Sequence, residues 1–342
     1  MKNENIRIEE AYSSSDNILA ERREKVRQSR YQMRILIYGA GVIGSVFAGK
    51  LASAGHDITV LARGERYREI SGKGIILQDA YSNEKETCKV CVIDSLEQDD
   101  IYDYILVTLQ KNQVMEVLPV LAQNKSPNIV LVVNNCLGYD EWVRQIGADR
   151  LMLGFPSAGG ERSNGAVTYF IGKGAARVFQ TTTFGDYCAA GSKRLDTLVK
   201  LFNGAKIPAV KCSDMDAWQK THVAIVTSIG NALYKHNSNN YELAGSKNDI
   251  ALMLRGIKEG FAVLKKLGYR VTPAKLWYFR LPVWLLAVVF RLVMNSKMAE
   301  IAMAKHTIAA KSEMQLLQQD FDILIKKAAI ETPSIDILKQ YL

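Results

Sequence analysis

Short apolar runs alternate with amphipathic stretches in the first half of the chain. Residues 33–38 (MRILIY) form an apolar run of strand length that ends at a glycine, which is typical of a strand buried on both faces. A helical pattern follows over 42–54, and a second strand-like run covers 57–62. Strands that alternate with helices pair in parallel through crossover helices, so the pattern predicts a parallel sheet flanked by helices. The same alternation continues with two predicted strands and the helix between them: 104–109, 112–123 and 128–133.

The pattern changes further along the chain. Between 167 and 184 the apolar runs become short and rich in β-branched residues, which predicts an antiparallel addition at the sheet edge. Beyond about residue 213, helical periodicity dominates, and the predicted long helices are 213–235, 247–267 and 296–327. The sequence therefore predicts an α/β fold class with an all-helical C-terminal domain. The predicted divisions are a polar N-terminal extension over 1–32, a parallel-sheet domain over 33–210 and a helical substrate or dimerisation domain over 211–342.

Charge and cysteine content limit the classes of binding partner and the cellular compartment that we expect. The 342 residues include 44 Lys and Arg against 35 Asp and Glu, a net charge of +9 that suits a phosphate- or carboxylate-bearing small molecule. No basic run is interleaved with aromatic residues, so nucleic acid is not an expected partner. Five cysteines, an odd number, favour free thiols, and residues 1–32 contain no apolar leader. We therefore expect a cytoplasmic protein.

One apolar run, 281–290, lies in the predicted helical domain. Ten residues are too few to cross a bilayer, which requires about 20, so no integral membrane segment is predicted. The favoured interpretation is a buried helix, and the alternative is an amphipathic helix that lies on a surface.

A glycine-rich loop follows the first predicted strand and opens the first predicted helix. In the G-x-G-x-x-G pattern, the first glycine permits a tight turn, the second admits a pyrophosphate and the third lets helix pack on strand. The amides of the helix N-terminus then bind the anion. This placement predicts a Rossmann-type nucleotide-binding domain. The predicted cofactor-binding residues of the loop are Gly39, Ala40, Gly41, Val42, Ile43 and Gly44.

The end of the second strand distinguishes NADPH from NADH. An acidic residue there would accept hydrogen bonds from a ribose 2′-hydroxyl, whereas this chain has Arg63. A guanidinium can clamp a 2′-phosphate with two charge-assisted hydrogen bonds, so NADPH is the predicted cofactor. Glu65 would favour NADH if it, rather than Arg63, faced the ribose.

Several motifs together resemble the ketopantoate reductase (2-dehydropantoate 2-reductase) family. They are the opening segment RILIYGAGVIGSVFAGKLASAGHDITVLAR, then VTLQKNQV, NNCLG, LGFPSAGG and AWQK. The resemblance extends in register from residue 33 to about 228 and returns weakly at 331–333. It implies a Rossmann domain followed by a helical domain, and NADPH-dependent reduction of a 2-keto acid to the 2-hydroxy acid, a step of pantothenate biosynthesis.

The resemblance also implies roles for individual residues. The lysine of the W-x-K motif is Lys220, the expected general acid for the substrate carbonyl. No metal ligand is predicted, because the histidines lack partners at ligand spacing, and Cys88 and Cys91 would point to opposite faces of a strand. The remaining implied residues are Gln110, Gln113 and Asn135 for the cofactor side of the cleft, and Lys111, Ser228 and Ser312 for the substrate.

The substrate half departs from the family pattern. Gln110 occupies the usual lysine position, with Lys111 one place later, and the two asparagines expected four and eight residues after Lys220 are Ala224 and Ser228. A Thr-Glu stretch near the C-terminus is missing, which removes a substrate-binding carboxylate unless Glu313 or Asp320 replaces it.

Three functions stay open at this point. The first is a ketopantoate-like 2-keto acid reductase, which could form a homodimer. The second is an NADP(H)-binding sensor or regulator without catalysis, suggested by the changes in the substrate half. The third is an opine- or hydroxy-acid-type dehydrogenase that acts on a larger substrate.

Overall fold

The computed structural model describes residues 32–172, 181–188 and 191–342, and the predicted extension over 1–32 lies almost wholly outside them. An eight-stranded sheet forms the first half of the fold, in the order β12-β11-β8-β7-β6-β1-β2-β5. All neighbouring pairs are parallel except β8 and β11. Its strands are β1 (Arg34–Tyr38), β2 (Asp57–Leu61), β5 (Cys91–Ile93), β6 (Tyr104–Val107), β7 (Ile129–Val132), β8 (Leu151–Phe155), β11 (Thr182–Asp186) and β12 (Ala209–Lys211).

Helices cover both faces of this sheet, and the strands between them are nearly all buried, as their apolar runs predict. The strand order reverses between β1 and β6, whose carboxyl ends therefore form the crevice in which α/β folds bind ligands. The flanking helices are α1 (Val42–Ser53), α2 (Gly64–Lys73), α3 (Lys111–Gln123), α4 (Asp140–Ile146) and α5 (Lys193–Gly204).

A second, four-stranded sheet packs beside α1 in the order β4-β3-β10-β9. The predicted antiparallel addition over 167–184 is thus divided: its first part lies in this small sheet, and its last part is β11 of the large sheet. Cys88 ends a strand of the small sheet whereas Cys91 begins β5, so the prediction that both lie on one strand was wrong. The small sheet comprises β3 (Ile75–Asp79), β4 (Lys85–Cys88), β9 (Ala158–Ser163) and β10 (Ala166–Ile171).

The second half of the chain is helical, which confirms the predicted fold class. The single helix predicted over 296–327 was wrong: a π-helical turn over Glu300–Ala304 and the non-helical backbone of Ala310 (φ −121°, ψ 30°) divide it. The α-helices are α6 (Met215–Lys235), α7 (Asn240–Gly245), α8 (Lys247–Lys266), α9 (Val283–Met294), α10 (Lys297–Ala299), α11 (Lys305–Ala309), α12 (Lys311–Ala328) and α13 (Pro333–Leu338), with 3-10 turns over Ala274–Arg280 and Lys339–Tyr341.

The apolar run 281–290 falls mainly in α9, and the expectation of a buried helix was wrong. Trp284 and Leu292 are each 71% exposed, while Leu286 and Met294 on the opposite face are buried. Across the described ranges, no one helix has the length and apolarity to span a bilayer. Ala274–Arg280 and Val283–Met294 reach that composition only as a pair bent by 120°.

Candidate active site

The glycine loop leaves β1 at the point where the strand order reverses. Gly39 has φ +110°, a conformation that side chains rarely adopt, and Thr108 Oγ1 donates a 2.9 Å hydrogen bond to its carbonyl. A Cβ on Gly44 would lie 1.9 Å from the same carbonyl oxygen, so only glycine lets α1 start this close to the strand. A Cβ on Gly41 would meet nothing within 4 Å. The loop is therefore packed on the protein side and open on the other.

The N-terminus of α1 can bind an anion. Gly41 is its N-cap, no side chain caps the first turn and no acidic residue lies there, so the amides of Val42 and Ile43 are not bonded to any side chain. Arg66, which sequence reasoning left without a role, fixes the loop from behind. Its Nε donates to Ala40 O at 3.2 Å and an Nη donates to Ser45 Oγ at 2.9 Å.

The end of β2 carries the arginine expected to select the cofactor. Arg63 is the N-cap of α2, and its side chain is exposed. Within the described ranges its guanidinium has no hydrogen bond or ion pair, unlike the buried Arg66. Glu65 is also exposed and lies in the first turn of the same helix. An unpaired cation at the carboxyl end of β2 fits a ribose phosphate at this position of the fold.

Gln110 and Gln113 form the start of α3, after β6. Gln113 Oε1 accepts a 3.3 Å hydrogen bond from the Gln110 backbone amide, which makes this part of the helix cap. Gln113 is exposed and Gln110 is half-buried. The structure thus gives both residues a capping role beside the crevice.

The loop after β7 contains adjacent asparagines with different surroundings. The side chain of Asn135 is buried and bonded within its own turn, donating to Gly138 O and accepting from the Leu137 amide. Asn134 instead reaches toward α12, with Nδ2 3.5 Å from a carboxylate oxygen of Glu313. The asparagine assigned from the motif therefore shapes the loop, and its neighbour faces the helical half.

Helix α6 lies across the carboxyl ends of β7 and β8 and is held there by Gln219. The Gln219 amide donates to Val133 O at 2.9 Å and Gly154 O at 3.3 Å, and accepts from the Tyr139 hydroxyl at 2.9 Å. Burial raises the pKa of Tyr139 well above its usual value, so the phenol keeps the proton that it donates. Sequence reasoning missed Gln219, although a glutamine four residues from Met215 on an apolar helix stripe was a usable signal.

Lys220 follows Gln219 and is 2% exposed. Its ammonium pairs with Asp216 one turn earlier and lies 4.5 Å from the centre of the Tyr269 ring. His222, two residues further along α6, stacks on Trp218 and packs against Phe155.

A second ion pair, with both side chains largely buried, joins the two halves of the molecule. Lys111 at the start of α3 pairs with Asp320 of α12, and their side chains are 15% and 9% exposed. Cys136 is close enough to this pair and to the pair of Lys220 to interact electrostatically with both. Burial raises the pKa of the Cys136 thiol to about 12, and the charges of both pairs act on it. The sequence-predicted Lys111 and Lys220 are therefore brought to one region.

The other substrate candidates lie elsewhere. The Ser228 hydroxyl donates to Ala224 O at 3.2 Å within α6 and faces Gly256 of α8. Ser312 is exposed at the start of α12. Ala224 is fully buried against Gly260, where a Cβ would approach the Ala224 Cβ to 2.9 Å. The two positions that carry asparagine in the family pattern thus serve helix packing.

Known proteins with similar sequences come from one enzyme family. Residues 35–182 match the family model described as ketopantoate reductase PanE/ApbA. The 2-dehydropantoate 2-reductase of Pyrococcus horikoshii is 25% identical over 251 residues, which cover 71% of this chain and 78% of that protein. The enzyme of the same name from Mesorhizobium japonicum is 32% identical over 91 residues, covering 26% of this chain and 27% of the other.

Solved structures share the whole two-part fold. The 2-dehydropantoate 2-reductase of Geobacter metallireducens superposes with a TM-score of 0.73 at 17% identity, covering 91% of this chain and 99% of its own. D-mandelate dehydrogenase, solved with NADH and anilino(oxo)acetate, superposes with a TM-score of 0.71 at 15% identity, covering 90% of this chain and 96% of its own. The resemblance to the ketopantoate reductase family is confirmed over residues 35–182. In sequence and fold the chain is similar to 2-dehydropantoate 2-reductases.

Proposed function

We propose that this protein reduces a 2-keto acid of the ketopantoate type to the 2-hydroxy acid, with NADPH as the electron donor and Lys220 as the general acid. The observation that carries the proposal is the position of Lys220. It is a buried ammonium on the helix that packs across the carboxyl ends of the strands, the edge from which the glycine loop also emerges. Ligands of this fold class bind at that edge.

The cofactor side fits a phosphorylated dinucleotide. The open space over Gly41 and the uncapped amides of α1 suit a pyrophosphate, and the unpaired Arg63 suits a 2′-phosphate. When bound, reduced nicotinamide would supply the hydride equivalent for the carbonyl carbon. Gln110, Gln113 and Asn135 contribute by holding the loops at the crevice in place.

Lys220 supplies the proton. An ammonium has three N–H donors, and among the described residues its one carboxylate partner is Asp216, which leaves donors for a substrate oxygen. As negative charge develops on that oxygen, the ammonium stabilises it and transfers a proton to give the hydroxyl. Asp216 holds the ammonium in place before the transfer.

The substrate carboxylate would bind near Lys111, the second buried cation of this region. Asn134 and Glu313 lie where the loop after β7 meets α12 and would contact the polar groups of the substrate tail. The packing roles of Ser228 and Ala224 argue against direct substrate contact there. We retain the proposed boundary near residue 210, with substrate contacts from the helical residues beyond it.

The direct test replaces Lys220. We expect Lys220→Ala to lower kcat with a 2-keto acid by about 10²–10⁴-fold, the usual contribution of a general acid, while the NADPH dissociation constant changes less than about twofold. Lys200→Ala, which removes an exposed lysine of α5, is the matched control and should leave both quantities unchanged. Unaltered turnover in Lys220→Ala would contradict the assignment.

A further inference from the structure

An exposed apolar surface lies on the helical half, away from the carboxyl edge of the sheet. Its α9 members recur at intervals of four residues, so they share one side of the helix. Trp277 adds to it from the preceding 3-10 turn and is 62% exposed. We call this surface the α9 patch. Its members are Trp277, Trp284, Leu285, Val288, Val289 and Leu292.

The α9 patch belongs to a well-anchored helix. Leu286 and Met294 are buried on its other side, and Phe290 packs against Phe279 with ring centres 5.6 Å apart. Arg291 Nε donates to Ala244 O at 2.9 Å. The exposed apolar side chains are thus a fixed feature of the fold, and a cluster of this kind marks an interaction surface.

The surrounding sequence is uniformly cationic. Residues 260–299 contain no Asp or Glu. Arg280 precedes α9 and Lys297 follows it, and both are exposed. The basic residues of this stretch are Lys265, Lys266, Arg270, Lys275, Arg280, Arg291 and Lys297. An apolar helix face in a stretch of chain that carries cations and no acidic residue is complementary to a surface that is both apolar and anionic.

We propose that the α9 patch docks this protein on anionic lipid membranes, with α9 lying in the plane of the interface. Trp277 and Trp284 would sit at headgroup level, where tryptophan is enriched, and the lysines and arginines would contact lipid phosphates. The 12 residues of α9 are too short to cross a bilayer, and the 120° bend separates it from the preceding turn, which favours surface binding.

The charge pattern favours a membrane over a second copy of this chain. A symmetric dimer through the α9 patch would bring the same acid-free, basic stretch of both copies to one interface. Like charges placed together in this way oppose association. Anionic lipid headgroups neutralise them instead.

The experiment is vesicle flotation of the full-length chain, with phosphatidylglycerol–phosphatidylcholine vesicles compared with pure phosphatidylcholine vesicles at low salt. We expect flotation with the anionic vesicles only, and a blue shift of tryptophan fluorescence on binding. The triple variant Trp284→Glu, Val288→Glu, Leu292→Glu should bind the anionic vesicles at least about tenfold more weakly than the wild type, because it puts carboxylates on the apolar face. Ile323→Glu, an exposed apolar position on α12, is the control and should float like the wild type.

Two further measurements separate loss of vesicle binding from loss of the fold, and the role of the cations from that of the apolar face. Thermal unfolding and NADPH binding of the triple variant should match the wild type, because all three side chains are exposed. Arg280→Gln with Lys297→Gln should reduce flotation with anionic vesicles while leaving the apolar face intact. Absence of flotation with anionic vesicles would overturn the proposal. The proposal would also be overturned if the wild type were a dimer and the triple variant a monomer by light scattering, with no vesicle binding in flotation. The α9 patch would then contact a second copy of the chain.

Discussion

The proposed cofactor half and the proposed substrate half of the site meet at the same edge of the sheet but are specified in different ways. The cofactor half depends on backbone: the φ of Gly39, the contact of Gly44 with the Gly39 carbonyl, and the free amides of α1. The substrate half depends on side chains from distant elements, such as Lys111 of α3 and Asp320 of α12. A backbone site tolerates few changes, whereas a side-chain site can be rebuilt by single substitutions.

Helix α6 shows how that rebuilding occurs. Ala224 and Ser228 occupy the positions that carry asparagine in the family pattern, and here they pack against Gly260 and Gly256 of α8. Lys220, on the same helix, keeps its burial and a carboxylate partner. The proposed general acid and the proposed substrate-orienting groups can thus change independently, which is the basis for separating the proposed chemistry from the precise keto acid.

The largest effect is expected in the glycine loop. Gly44→Ala should destabilise the protein by about 3 kcal/mol and abolish NADPH binding, since its Cβ would overlap the Gly39 carbonyl. Gly41→Ala should leave the free energy of unfolding within about 0.5 kcal/mol, because its Cβ would lie within 4 Å of no atom of the described residues, yet weaken NADPH binding markedly. Urea unfolding and NADPH titration of both variants separate packing from binding. Equal NADPH affinity in Gly41→Ala and the wild type would place the pyrophosphate elsewhere.

The ion pair between the halves gives the next largest effect. Asp320→Asn should cost about 2 kcal/mol in urea unfolding, because it leaves the Lys111 ammonium largely buried without a counter-charge. The double variant Lys111→Met, Asp320→Leu should recover most of that loss. Asp336→Asn, which breaks the exposed pair with Lys339, is the control and should cost about 0.5 kcal/mol or less. A cost for Asp320→Asn no larger than the control would mean that the pair does not couple the halves.

The smallest effect concerns the choice of cofactor. Arg63→Ala should weaken NADPH binding about tenfold, equivalent to about 1.4 kcal/mol for lost charge-assisted hydrogen bonds at an exposed side chain, and leave the affinity for NADH unchanged. Glu65→Ala should change neither affinity if Arg63 contacts the phosphate. Selective loss of NADH affinity in Glu65→Ala, with Arg63→Ala unaffected, would reverse the assignment.

Much of the fold could be predicted because the parallel strands are buried on both faces and read as continuous apolar runs. The division of residues 167–184 between two sheets could not, since both parts alternate like edge strands and only long-range pairing separates them. The exposure of α9 was also hidden: an all-apolar helix indicates burial, and nothing local reveals that one side of it lacks a partner.

In the site, the glycine loop could be predicted because its spacing encodes backbone geometry directly. Gln219 and Arg66 could not be assigned, because their roles depend on carbonyl groups from β8 and from the glycine loop itself. The motif identified Asn135, but the side chain of Asn135 bonds within its own turn. The adjacent Asn134 makes the contact with the helical half, which the motif could not predict.

The most direct measurement is NADPH oxidation, followed by absorbance, with ketopantoate and a panel of 2-keto acids, beside NADPH titration of the same preparation. We expect NADPH to bind and at least one 2-keto acid to be reduced, with turnover lost in Lys220→Ala. Tight NADPH binding without reduction of any 2-keto acid would contradict the proposed activity and indicate that only the cofactor half retains its role.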